Sequence, residues 1–261
     1  WRDALAGFGI GVRVWPDNDC LSDAVRITCP GNLADFNRLV TALESLVNPQ
    51  ALLFDLDGVL ADVSQSYREA IRQTAQIYGV TVTNADIERC KRAGHANNDW
   101  SVTQALLASR SVHVPFEDVK STFESLYWGT SDRRGLCLDE SFIGCIENLK
   151  KLSVKMPLAA VTGRPRRDAL MFLERFDVRE CFTTVVTMED APLKPDSAPV
   201  FAALTRLGVS RAWMIGDTRD DVEAARGANV LPIGVVTPTD TEPDVSRDNL
   251  LKAGAARVLN Q

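Results

Sequence analysis

Residues 52–60 read LLFDLDGVL, an apolar run that breaks into two aspartates one residue apart and then into glycine. A stretch without a polar position, from Ala51 to Phe54, suits a strand buried on both faces, and such strands belong to parallel sheets covered by helices. Ligands of those sheets gather beyond the carboxyl ends of the strands, where Asp55 stands. In extended backbone Asp55 and Asp57 share a side, and Gly58 permits a turn that brings both toward one ligand with backbone groups accessible. A carboxylate at Asp55 could ligate a hard cation and attack phosphorus, with Asp57 as the acid.

Paired aspartates also occur in turns, helix caps and calcium loops, so the meaning of this pair rests on three later segments. Residues 157–164, PLAAVTGR, form a second strand candidate ending in Thr162 and Gly163, which offer a hydroxyl donor and an approachable backbone N–H to a phosphate oxygen. Lys194 and Pro195 place a cation ahead of a helix-compatible run. Residues 213–221, WMIGDTRDD, make a third strand running into an acidic loop suited to an oxygen-rich Mg2+ site. For Asp217, Asp220 and Asp221 the competing reading is helix capping, which is preferred at Asp220.

In this order the four motifs resemble those of the haloacid dehalogenase-like superfamily over about residues 50–261. The resemblance implies Asp55 as nucleophile and metal ligand, Asp57 as general acid/base that also gives the metal its backbone carbonyl, and Thr162 as the phosphate-binding hydroxyl. It implies Lys194 as the charge-neutralising lysine, Asp217 as a metal-ligating carboxylate and Asp221 as the acid supporting the metal site. Gly58 and Gly163 would present backbone groups to the substrate. Members that cleave carbon–halogen bonds lack the second aspartate, so Asp57 favours a phosphatase or phosphomutase. The expected fold is α/β: a parallel-sheet Rossmann-like core over 50–62 and 141–261, an inserted helical cap over 63–140, and a small N-terminal β-β-α segment over 1–49.

The insertion carries helical periodicity at Tyr67, Ile71, Ala75 and Tyr78, at Val102, Ala105, Leu106 and Ser109, and at Phe116, Val119, Phe123 and Leu126. In the resembled family an insertion here covers the active site and contacts the substrate beyond its phosphate, as lids do. Its most polar turn, residues 94–100, has two readings. Asn98 or Asp99 caps a helix with Trp100 packed beneath, or Arg92, Asn97, Asn98 and Trp100 lie over the substrate.

Residues 1–49 read as a unit of their own, with strands over 9–15 and 24–28 and then a helix capped by Asn32. Leu33, Phe36, Leu39, Val40, Leu43, Leu46 and Val47 fall at helical spacing. This segment is similar to the C-terminal end of histidinol-phosphate aminotransferases, although nothing in the chain resembles their cofactor-binding lysine. It reads either as the tail of an aminotransferase–phosphatase fusion, making an aminotransferase a fused or associated partner, or as a packing extension. By pathway adjacency the first reading suggests histidinol phosphate or another small amino-alcohol or sugar phosphate as substrate; phosphoglycolate is a further candidate.

A net charge of -6 and a pI near 5.1 argue against broad binding to nucleic acid or anionic membranes, so phosphate selectivity must be local. Six cysteines without a CxxC pair and only two histidines argue against a zinc or thiol enzyme and favour a reducing, cytoplasmic setting. No apolar run reaches about 18 residues, and the first residues lack the layout of a secretory signal. The start at Trp1 without methionine fits a trimmed or partial product, from which a targeting segment could have been removed.

The expected reaction is Mg2+-dependent hydrolysis of a small phosphomonoester. Asp55 attacks phosphorus while Asp57, kept protonated by neighbouring negative charge, donates to the leaving alcohol and later deprotonates water. A phosphomutase is the near alternative. A non-catalytic assembly module for a fused aminotransferase is a third, disfavoured because such a module needs none of these residues together.

Overall fold

The computed structural model describes residues 2–90 and 98–260. It opens on a helix that no periodicity announced, α1 (Arg2–Gly7). The next strands, β1 (Arg13–Val14) and β2 (Val25–Arg26), pair antiparallel over two residues each, shorter than the sequence alternation suggested. Helix α2 (Leu33–Val47) begins at the expected cap, where the Asn32 side chain accepts from the Asp35 N–H.

Strand β3 (Ala51–Phe54) follows, and β4 (Ala61–Asp62) opens the insertion. The insertion contains α3 (Tyr67–Ile77), α4 (Asn84–Cys90), α5 (Asp99–Ala108), α6 (Phe116–Trp128) and the hairpin of β5 (Gly129–Thr130) and β6 (Arg133–Arg134). It closes on β7 (Ser141–Phe142), which pairs antiparallel with β4. The chain then alternates through α7 (Ile146–Lys155), β8 (Leu158–Val161), α8 (Arg166–Arg175), β9 (Thr184–Val186), α9 (Ala198–Leu207) and β10 (Ala212–Gly216). It finishes with α10 (Arg219–Gly227), β11 (Leu231–Val236), α11 (Pro243–Ala253) and β12 (Arg257–Asn260).

Two compact units result, Trp1–Leu60 with Ile143–Gln261, and Ala61–Phe142. The first is built on a six-stranded parallel sheet in the order β12-β11-β10-β3-β8-β9. Strand β3 lies between β10 and β8, with Leu52 registered against both Trp213 and Leu158. The three strands that lead into chemistry-bearing loops are therefore adjacent, and the loops emerge at the same sheet edge. On one face Leu53, Ala159, Val161 and Met214 pack with Val200 and Ala203 of α9 and with Ala224 and Ala225 of α10.

The N-terminal segment, read from the sequence as a unit of its own, is part of this core. Leu5, Phe8 and Ala42 form one cluster with Leu231, Ile233 and Ala256, and Trp213 and Ile215 pack against it. Trp213 Nε1 donates to the Ser45 carbonyl at 2.7 Å and Arg226 Nε to the Gly7 carbonyl at 3.1 Å. Strands β10 and β11 need an apolar partner on this face, and the segment supplies it. Periodicity located the helix but not its inner stripe. Leu39 and Ala42 are buried, whereas Leu33, Phe36, Val40 and Val47 remain exposed.

In the second unit α3, α5 and α6 bury Ile71, Val102 and Phe123, and Tyr67 stacks on Tyr127 with ring centroids 4.5 Å apart. The buried Glu140 carboxylate accepts from Ser66 Oγ at 2.8 Å and from Tyr127 Oη at 3.0 Å. Among the described residues no helix is long and apolar enough to cross a membrane. None of the six cysteines forms a disulfide among the described residues, and Cys137 and Cys181 are buried.

The packing of α1 makes a direct prediction. Leu5 is fully buried, so Leu5→Ala should lower the unfolding free energy of the sheet-containing unit by about 2–5 kcal/mol. Urea denaturation followed by tryptophan fluorescence checks this, and an unchanged midpoint would mean that the segment does not support the sheet.

Candidate active site

Asp55 is the first residue beyond β3, and its N–H donates to the Ile215 carbonyl at 2.9 Å, which carries the sheet ladder up to the carboxylate. Thr162 holds the matching place after β8, its N–H donating to the Val186 carbonyl at 2.9 Å. Asp217 follows β10, and Asp221 lies in the first turn of α10. Lys194 reaches in from the segment before α9. Its Nζ lies 2.8 Å from Asp55 Oδ1, donates to the Val161 carbonyl at 3.1 Å, and pairs with Asp221 Oδ1. The ammonium is thus tied to the ends of two strands and the start of one helix.

The backbone leaves room for these carboxylates at two glycines. Gly58 has φ +76, and a Cβ there would lie 2.1 Å from Asp217 Oδ2. A Cβ on Gly216 would lie 2.3 Å from the Cβ of Asp221. The glycine after the aspartate pair is therefore required both for its turn and for the approach of a second acid.

Asp221 has two tasks. Its Oδ2 accepts from the Thr218 N–H at 3.0 Å and from Thr218 Oγ1 at 2.5 Å, closing a capping box at the start of α10. Thr218, not Asp220, is the cap, because its hydroxyl oxygen accepts from the Asp221 N–H at 3.3 Å. Asp221 thereby faces Lys194 from a fixed position. Asp217 differs: its Oδ1 is buried and makes no hydrogen bond.

Burial pushes the Asp55 carboxyl up to about 7; Lys194 opposes the shift, and Asp221 and Asp57 add to it. Burial also drives Asp217 well above the ordinary carboxylate range, reinforced by Asp221 and Asp55. For Lys194 burial acts downward, but the charges of Asp221 and Asp55 outweigh it and hold the ammonium above its usual value. Carboxylate oxygens of Asp55, Asp217 and Asp221 all lie within 4.8 Å of one another. An all-oxygen donor set, an excess of buried negative charge and an orphaned carboxylate oxygen fit a hard divalent cation such as Mg2+.

The Asp57 side chain is outside that cluster. Its Oδ1 lies 2.6 Å from Nε of Arg164, whose side chain is 1% exposed against 35% for Asp57. Neighbouring negative charge was expected at Asp57; the structure adds this guanidinium, which sequence reading passed over although it stands next to Gly163. A second unanticipated residue is Thr237, just beyond β11, whose Oγ1 donates to the Gly58 carbonyl at 3.1 Å and lies 3.4 Å from Asp217 Oδ2. Gly163 occupies the turn between Thr162 and α8.

Of the residues expected to lie over the substrate, Arg92 and Asn97 fall outside the described residues. Asn98 caps α5, its Oδ1 accepting from the Ser101 N–H at 3.0 Å. Trp100 meets Phe116 edge-on at 6.3 Å between centroids, and the Lys120 ammonium lies 4.6 Å from the Trp100 ring centroid. These contacts are those of the capping alternative.

The sequence profile of the haloacid dehalogenase-like hydrolases matches residues 52–235. Imidazoleglycerol-phosphate dehydratase of Phytophthora nicotianae is 44% identical over 81% of the chain, which spans about half (48%) of that relative's length. A phosphorylated carbohydrates phosphatase of Thermotoga maritima is 29% identical over 80% of the chain and 94% of its own length. Among solved structures, a hydrolase from Pseudomonas syringae aligns with a TM-score of 0.63 at 21% identity, over 81% of this chain and 94% of the other. The last is a likeness of fold.

Asn98→Ala should cost about 1 kcal/mol of stability by removing the cap of α5. Chemical denaturation measures this. A variant of unaltered stability that re-orders the preferred phosphate substrates would favour the substrate-facing reading instead.

Proposed function

The chain belongs to the haloacid dehalogenase-like hydrolase family, a family of enzymes, and from that premise we propose that it hydrolyses a phosphomonoester of a small metabolite through a phosphoaspartyl intermediate on Asp55. One arrangement carries the reading: the buried Lys194 ammonium sits against Asp55 and Asp221 while Asp217 keeps a carboxylate oxygen without a partner. A purely structural ion pair has no use for the third acid.

Asp55, the Asp57 backbone carbonyl and Asp217 would hold Mg2+, with Asp221 supporting Lys194 and the loop. When bound, the ion supplies electrostatic neutralisation of the phosphate oxygens and of the buried carboxylates. The remaining chemistry belongs to the chain. An Asp55 oxygen bonds to phosphorus as the phosphorus–oxygen bond to the leaving alcohol breaks, and Asp57 gives that alcohol its proton. Asp57 then takes a proton from water as the water oxygen bonds to phosphorus and the Asp55–phosphorus bond breaks. Lys194 and the Thr162 hydroxyl stabilise the charge on the non-bridging oxygens, and Gly58 and Gly163 offer backbone groups beside them. This is positioning and electrostatics, which dominate phosphoryl transfer.

For the substrate, the relative at 44% identity has a name built on imidazoleglycerol phosphate, and the T. maritima relative is named for phosphorylated carbohydrates. Small alcohol phosphates bearing an imidazole or a sugar are the first class to screen, histidinol phosphate among them. The aminotransferase partner suggested by residues 1–49 finds no support in these relatives.

Asp55→Asn should fold and lose turnover by about a thousandfold or more, roughly 4 kcal/mol of transition-state stabilisation. Steady-state assays of the pure variant check this, and near-wild-type rates would remove Asp55 as nucleophile. Chelation with EDTA should silence the enzyme reversibly, and added Mg2+ should raise the melting temperature of the wild type but not of Asp217→Asn. Activity that survives exhaustive chelation would contradict the metal assignment.

A further inference from the structure

We propose that Arg164 is a positioning residue that holds the Asp57 carboxylate and the Thr162 hydroxyl in one working geometry; the inference rests on the phosphatase reading above. Among the described residues Arg164 reaches the site through different parts of the residue. Its side-chain Nε donates to Asp57 Oδ1 at 2.6 Å, and its backbone N–H donates to Thr162 Oγ1 at 3.1 Å. The guanidinium is buried, with its central carbon 5.1 Å from the ring centroid of Phe172 in α8. Planar, permanently charged and packed against an aromatic face, it has little freedom to follow a moving carboxylate, so the carboxylate follows it.

The two contacts divide the labour. Because Thr162 Oγ1 accepts from the backbone N–H, its own proton is directed to a phosphate oxygen. Because Asp57 Oδ1 is held by Arg164, the proton that passes to the leaving alcohol, and later comes from water, is carried at a carboxylate of fixed orientation. The Arg164 side chain is therefore needed by both proton transfers and not by formation of the Asp55–phosphorus bond itself. Replacing the side chain leaves the backbone N–H to Thr162 in place, which isolates the contact with Asp57.

The test compares leaving groups that need a proton with one that does not. In rapid-mixing experiments Arg164→Met should still release a burst of nitrophenolate from p-nitrophenyl phosphate, close to one equivalent per site, because an aryl oxide departs unprotonated. Its steady-state rate should then fall because the water step is impaired. On the best alkyl phosphate of the wild type, kcat should fall by about a hundredfold or more with KM within threefold and no accumulation of phosphoenzyme. Arg164→Lys, which retains a cation without the fixed fork, should recover part of the alkyl rate. Loss of the burst in step with the alkyl rate in a folded variant, or unchanged rates on both substrates, would overturn the proposal. Should Arg164→Met fail to fold, Arg164→Lys decides alone: an alkyl-specific loss with the burst intact supports the role, and an equal loss on both or wild-type behaviour rejects it. A wild type inactive on every phosphomonoester would instead overturn the functional reading.

Discussion

A single buried ammonium organises the carboxyl edge of the sheet and the candidate site there. Lys194 is 2% exposed and touches Asp55, Asp221 and the carbonyl of Val161, so it joins β3, β8 and the start of α10. Buried charges persist only when paired and hydrogen-bonded, and each partner of Lys194 is itself fixed: Asp55 by the sheet ladder and Asp221 by its capping box. Removing Lys194 would leave the buried Asp55 and Asp221 carboxylates without their cation. The same requirement explains the glycines, since Gly58 and Gly216 exist where carboxylates press against backbone.

The sheet order converts local sequence into a site. Strands β10, β3 and β8 are neighbours, so the loops that begin at Asp55, Thr162 and Asp217, far apart in sequence, open side by side, as expected beyond the carboxyl ends of parallel strands. The N-terminal segment contributes from the other direction. By covering β10 and β11 with Leu5, Phe8 and Ala42, it buries the strand face from which Asp217 emerges. This role follows from the contacts.

Much of this was legible in the sequence. The apolar runs before Asp55, Thr162 and Asp217 located the central strands because strands buried on both faces leave no room for polar residues, and helices α2, α3, α5 and α6 showed their periodicity. What stayed hidden depends on partners distant along the chain. Helix α1 is only six residues long, too short for a periodic signal. The inner stripe of α2 is defined by the sheet it covers, so Leu33 and Val40 looked equivalent to Leu39 until packed. Thr218 was overlooked as a cap because the three acids after Gly216 drew the assignment, and Arg164 because its partner Asp57 lies 107 residues earlier.

The central claim is that Asp55 carries the phosphoryl group during turnover. Borohydride added to the working enzyme reduces an acyl phosphate to the alcohol, which converts a phosphorylated aspartate to homoserine that peptide mass spectrometry can locate. Homoserine at Asp55, formed only in the presence of substrate and absent from Asp57 and Asp217, is the expected result. Reduction at another carboxylate, or none while hydrolysis proceeds, would contradict the account.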